Sequence, residues 1–162
     1  MHNPFLLHPQ QLRHSWKDLR IAMHSAVDLK MKSKMALVFW NQAPISKPFL
    51  DYLDPASWPD PWMLLESKLF DRNSISLGIF WTMQLDSPRA TDLKLAMLRQ
   101  PKQAWEGLVC VIDDQWVVGY DREQVWNFAD IKDVQVMHVY KYDLQKRCIK
   151  EISVNSMAFQ FS

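Results

Sequence analysis

The chain has 162 residues, of which 48% are hydrophobic and 23% charged, a composition that folds and that fits a single domain over residues 1–162. Nineteen Lys and Arg against eighteen Asp and Glu leave a net charge of +1, so no overall field draws the chain to nucleic acid or to an anionic membrane. No apolar run approaches the roughly 18 residues of a membrane span, the start lacks the basic n-region of a signal peptide, and two cysteines cannot form a disulfide framework; folding in a reducing cytoplasm is expected.

In chain order, Leu12, Trp16, Leu19, Met23 and Val27 recur at helical spacing and predict a helix over 9–27, with Pro9 in its first turn. A second helix is expected over 33–41. Residues 43–61 hold five prolines with Trp58 at the end and Trp62 just after, and read as a stiff loop packed on the surface. Asp60 and Pro61 open a short helix. Residues 71–85 are apolar on nearly all sides and predict a buried central helix, whose small members Ser74, Ser76 and Gly78 allow close approach of other backbone. The period then changes to two. Leu93, Leu95 and Met97 predict a strand, and 108–112, Asp113-Asp114-Gln115 and 116–120 predict a hairpin. Further strands are expected over 134–142 and 148–154. Helices first and strands last give an α+β fold: N-terminal helices and a buried central helix packed on a C-terminal antiparallel sheet.

Motifs for chemistry are sparse. None of the five histidines pairs with another at i, i+4, and no Cys-x-x-Cys or calcium-loop spacing occurs, so neither a metal nor a cofactor is expected. Cys110 lies inside Leu-Val-Cys-Val-Ile, which suits a core thiol. Cys148 follows Lys146-Arg147, where a cation could lower its pKa. A hydrolase would have to pair Cys110 or Cys148 with His138. The basic runs at 30–34 and 141–150 read as solvated faces rather than nucleic-acid sites.

Asp71-Arg72-Asn73-Ser74-Ile75-Ser76-Leu77 resembles the helix start of bacterial transglutaminase-like cysteine peptidases, where the family runs Gly-Asp-Cys-Glu-Asp-x-Ala-Leu. Trp105-Glu106-Gly107-Leu108 through Gln115-Trp116-Val117-Val118-Gly119-Tyr120-Asp121 resembles the family's following hairpin, and the likeness spans roughly residues 60–130. It implies a peptidase-like fold in which the nucleophile position falls on Arg72, the base position near Trp105 or Glu106, and the acidic position on Asp121. Arg72 is no nucleophile, so the resemblance implies a degenerate, non-catalytic site.

His14-Ser15-Trp16-Lys17-Asp18-Leu19-Arg20, 44–50 and 58–62 also resemble segments of small proteins encoded by tailed phages of aquatic bacteria. That likeness implies a virion component of a neck, tail or baseplate, with other virion proteins as partners and a homo-oligomer within the assembly. Eight Trp and nine Met fit such a subunit, because both types are enriched where proteins meet. Phe49, Tyr52, Trp58 and Trp62 are the interface candidates. The alternatives are a small host-directed binding protein and the cysteine hydrolase above.

Overall fold

The computed structural model describes residues 3–46, 50–86 and 92–157. Four helices lead: α1 (Pro9–Met23), α2 (Leu29–Trp40), α3 (Pro61–Ser67) and α4 (Arg72–Gln84). Six strands follow: β1 (Leu93–Gln100), β2 (Trp105–Ile112), β3 (Trp116–Val118), β4 (Trp126–Asn127), β5 (Gln135–Asp143) and β6 (Cys148–Ile152). They form one antiparallel sheet in the order β4-β3-β2-β1-β5-β6, with the helices against it. The α+β architecture is the one expected.

Aspartates set the helix starts. Asp28, Asp60 and Asp71 each accept from the backbone N–H three residues on, at 2.8 Å. At α4 the capping is reciprocal, since the Asp71 N–H donates to Ser74 Oγ at 2.7 Å. The Asp28 cap explains the two boundaries that sequence periodicity misplaces. α1 stops at Met23 and α2 begins at Leu29, so Val27 falls in the turn between them and is 90% exposed. Its place in the apolar stripe is coincidental.

Every residue of α4 from 74 to 83 is buried. The helix lies between the sheet and α2, and its sequence allows this. Gly78 faces Trp40 so closely that an added Cβ would stand 2.5 Å from the indole. One turn on, Thr82 Oγ1 accepts from the indole N–H of both Trp16 (2.9 Å) and Trp40 (2.8 Å) and donates to the Gly78 carbonyl (2.8 Å). One hydroxyl thus satisfies two buried donors from two other helices.

The sheet is apolar on both faces. Leu95, Met97, Leu108, Cys110, Val118 and Tyr140 meet the helices. Ala96, Leu98, Val109, Val111, Val117 and Val139 form a second core with Phe128, Ile131, Val134 and Met157 from the connecting segments. Lys94 alternates with these apolar residues and is nevertheless buried, because its ammonium lies 2.8 Å from Asp92 and 3.1 Å from Asp114. The basic run at 30–34 is likewise not a simple solvated face. Lys32 is buried in an ion pair with Asp86 at 2.6 Å, Lys30 lies over the Trp116 ring, and Lys34 donates to the Glu123 carbonyl. No helix among the described residues is long and apolar enough to cross a membrane.

Replacing Thr82 by Val keeps the shape and strands two buried indole donors, which should cost about 2–4 kcal/mol. A melting point lower by about 6–12 °C is the expected readout. Gly78→Ala should also destabilise, because the ring it meets is bonded to Thr82 and packed among Phe5, Phe39 and Phe70 and cannot swing away.

Candidate functional site

The start of α4 opens into a cleft of about 740 Å³. Arg72 and Asn73 come from the helix, Trp105, Glu106 and Gly107 from the start of β2, Gly119 to Arg122 from the segment after β3, and Trp126 from β4. Gln100 and Gln103 close one end. The three positions singled out by the peptidase resemblance, Arg72, Glu106 and Asp121, therefore line one cleft.

Local chemistry fixes the walls. Asn73 Oδ1 accepts from the Leu108 N–H at 2.9 Å and so ties α4 to β2, while its amide donates to the Tyr52 hydroxyl. Gly119 has φ +101°, and an added Cβ there would lie 2.4 Å from Ser76 Oγ. Only glycine lets the chain turn this tightly against α4 and carry residues 120–122 into the cleft. The turn is then pinned to α2, with Asn41 donating to the Arg122 carbonyl at 2.8 Å and Lys34 to the Glu123 carbonyl.

Asp121 is held from both oxygens. Oδ1 accepts from the Glu123 N–H at 2.7 Å and Oδ2 from the Trp126 indole at 3.1 Å. These hydrogen bonds, led by that of Glu123, keep its carboxyl below the usual carboxylate range despite partial burial. Burial, and then the neighbouring Arg122, lower the pKa of Arg72, while Asp121 opposes them. Burial, Asp71 and Glu106 push the Tyr52 hydroxyl up to about 12, so it stays protonated beside Asn73.

The other wall is aromatic. The Trp105 and Tyr120 rings stand edge to face at 5.1 Å, and Tyr120 and Trp126 do so at 5.3 Å. Tyr120 is fixed further by donating to Gln100 Oε1 at 3.0 Å, and Gln100 in turn donates to the Lys132 carbonyl at 2.7 Å. Sequence reasoning did not single out Arg122, Asn73, Tyr120 or Trp126 as a set. The Gly119-Tyr120-Asp121-Arg122 run carried a signal, a glycine beside charged and aromatic side chains. The two-residue β4 that delivers Trp126 carried none.

Neither Cys110 nor Cys148 is placed to pair with His138. Cys110 is fully buried in the helix-facing core, and burial pushes its thiol well above its ordinary pKa. Cys110 lies opposite Leu95, and Leu95 opposite Tyr140, so two strand spacings, about 10 Å, separate Cys110 from β5, the strand of His138. His138 Nδ1 sits 3.2 Å from Glu151 Oε2. Cys148 pairs with Asp143, which is about 17 Å along β5 from His138. Cys148 lines a separate groove with Trp62, Trp81 and Tyr142. No group of three or more His, Cys, Asp or Glu side chains that could hold a metal occurs among the described residues.

The interface candidates fare differently. Trp58 is 7% exposed, packs on Tyr140 at 4.8 Å and donates its indole N–H to the Asp51 carbonyl, so it belongs to this chain's own core and not to an outward face. Tyr52 is half-buried and supports Asn73. Trp62 alone of the eight tryptophans is exposed, at 46%, with Trp16 at its edge. Phe49 lies outside the described residues. Half of the eight tryptophans thus fill the core, since Trp16, Trp40, Trp58 and Trp81 are all buried.

The fold that carries this cleft is shared with solved structures of LapG from Legionella pneumophila, which have a transglutaminase-like fold. The calcium-bound form has a TM-score of 0.63 and 12% identity over 83% of this chain and 77% of that one. The EGTA-treated form has a TM-score of 0.64 and 11% identity over 94% and 86%, and a further LapG structure has 0.64 and 12% over 85% and 78%. At such identity the likeness is of fold alone. No protein-family model matches the chain, and no curated protein matches it.

Two guanidinium groups, two carboxylates and three rings can hold and orient a polar ligand. Thiol chemistry needs a cysteine and an imidazole, and neither residue type lines the cleft. Thiol titration of the native protein should show only Cys148 reacting, with Cys110 appearing on denaturation; a fast native Cys110 would contradict its placement. Asp121 is depressed in the folded state, so its stabilisation is full above the ordinary carboxylate pKa and fades as pH falls through its lower folded value. Trp126 emission should therefore change below about pH 4 in the native chain and not in Asp121→Asn.

Proposed function

We propose that this chain is a non-catalytic protein that keeps the peptidase fold as a scaffold and uses the cleft at the start of α4 to hold a segment of a partner protein. The observation that carries the proposal is the occupant of the first position of α4. Arg72 stands there, with Glu106 and Asp121 across the same cleft. A guanidinium does not attack a carbonyl, and it is well suited to binding. The supporting walls favour the same use, since rings locked edge to face and a turn pinned to α2 present a preformed surface.

On this proposal the partner belongs to an assembly, and the setting suggested by the sequence is a tailed-phage neck, tail or baseplate. On this reading the contact lies at the cleft and not at Trp58 of the proline-rich loop, a choice supported by the burial of Trp58.

A defined pool of peptides incubated with the immobilised chain tests the binding role. Selected peptides should be retained with their ends intact, and Trp105→Ala/Trp126→Ala should lose at least tenfold of the retention while keeping a cooperative melt. Peptides recovered with new ends, from a preparation inhibited by thiol alkylation, would overturn the non-catalytic reading. Recovery of the chain in fixed copy number within purified particles is the outcome expected for the virion setting, and absence from particles would remove that setting.

A further inference from the structure

Arg72 and Arg122 are placed as a pair, and neither guanidinium is held in a direct ion pair among the described residues. Each lines the cleft, and both also line a smaller recess beside Ser76 and Gly119. They are close enough for the charge of Arg122 to disfavour that of Arg72. Among the described residues no ion pair forms to either guanidinium. The nearby Asp121 favours the charge of Arg72 without a direct contact, since it gives one oxygen to the Glu123 N–H and the other to the Trp126 indole. Glu106 also bears on Tyr52.

The backbone holds the pair together. Arg72 is the first residue of α4, capped by Asp71, and the Arg122 carbonyl is anchored by Asn41 of α2. The first turn of a helix also favours negative charge, so Arg72 is placed against the helix field as well as against Arg122. Two like charges fixed at a cleft, each without a direct ion pair among the described residues, are complementary to an anion brought by a ligand.

We propose that the cleft recognises a carboxylate of a peptide, held between Arg72 and Arg122, with the adjoining apolar or aromatic side chain laid on the Trp105–Tyr120–Trp126 wall. This rests on the binding role proposed above and names its ligand chemistry. A carboxylate suits the site better than a phosphate. Glu106 and Asp121 flank the arginines and would repel a dianion, and the chain's net charge of +1 supplies no field for a polyanion. The carboxylate can be a chain end or an acidic side chain, and the probes below separate the two.

The test uses the full chain and the indole N–H resonances of Trp105 and Trp126. N-acetylphenylalanine as the free acid should shift both saturably, and its amide should bind at least tenfold more weakly. N-acetyl-aspartyl-phenylalaninamide, which has only a side-chain carboxylate, binding as well as the free acid would assign the group to a side chain; binding like the amide would assign it to the chain end. Arg72→Gln and Arg122→Gln should each lose about tenfold for the acid and change little for the amide, a pattern that a merely structural role would not produce. Arg→Lys at either position should recover part of the loss, since an ammonium cannot form the two-pronged contact. Equal binding of acid and amide would overturn the carboxylate assignment and leave the binding role standing. Tighter binding of adenosine monophosphate or inorganic phosphate than of any carboxylate would overturn it in favour of a phosphate ligand. No shift with any probe would overturn both.

Discussion

One hydroxyl organises the helical half of the molecule. Thr82 sits in the middle of α4, where every neighbour is protein, and it answers the indoles of Trp16 on α1 and Trp40 on α2 while bonding back to Gly78. Burying two tryptophans without partners for their N–H groups would be costly. Meeting both with one threonine fixes the three helices relative to each other. Gly78 is the steric counterpart, because Trp40 can approach only where a side chain is missing. Phe5, Phe39 and Phe70 then close around Trp40 with ring centres between 5.2 and 6.2 Å apart.

That packing decides where the cleft lies. With α4 fixed in the core, its capped first turn must emerge at the edge of the sheet beside β2 and β3. Asn73 and Gly119 then couple the helix end to both strands. The cleft therefore inherits the rigidity of the core, although Arg72, Glu106 and Arg122 are exposed. A binding site gains from this arrangement, because little ordering is left to be lost when a ligand arrives. A guanidinium, that of Arg72, stands at the helix start, and neither Cys110 nor Cys148 lines the cleft.

Much of the fold was legible because the periods are clean. The polar-to-apolar change at 71–74, the twofold alternation after 93 and the Asp113-Asp114 turn all correspond to real elements, and both turn residues adopt the left-handed φ that aspartate tolerates. What periodicity missed was set by tertiary contacts. Val27 matched the helical stripe yet lies beyond the helix end, and Lys32 read as part of a solvated face yet is buried against Asp86, which is distant in sequence. The three candidate positions Arg72, Glu106 and Asp121 came from a resemblance and not from spacing, and they converge on one cleft. Arg122 and Trp126 complete it, the first through a turn marked only by Gly119 and the second through a two-residue strand that has no local signature. Tryptophan abundance also has a use within the chain, because four of the eight rings fill this core.

A crystal structure of the chain with a retained peptide would decide most directly what the start of α4 is for. The peptide is expected between Arg72, Arg122 and the Trp105–Tyr120–Trp126 wall, uncut and with a carboxylate against the two guanidiniums. A peptide seated instead in the Trp62–Trp81–Tyr142 groove, with the cleft at α4 empty, would contradict the whole assignment of this site.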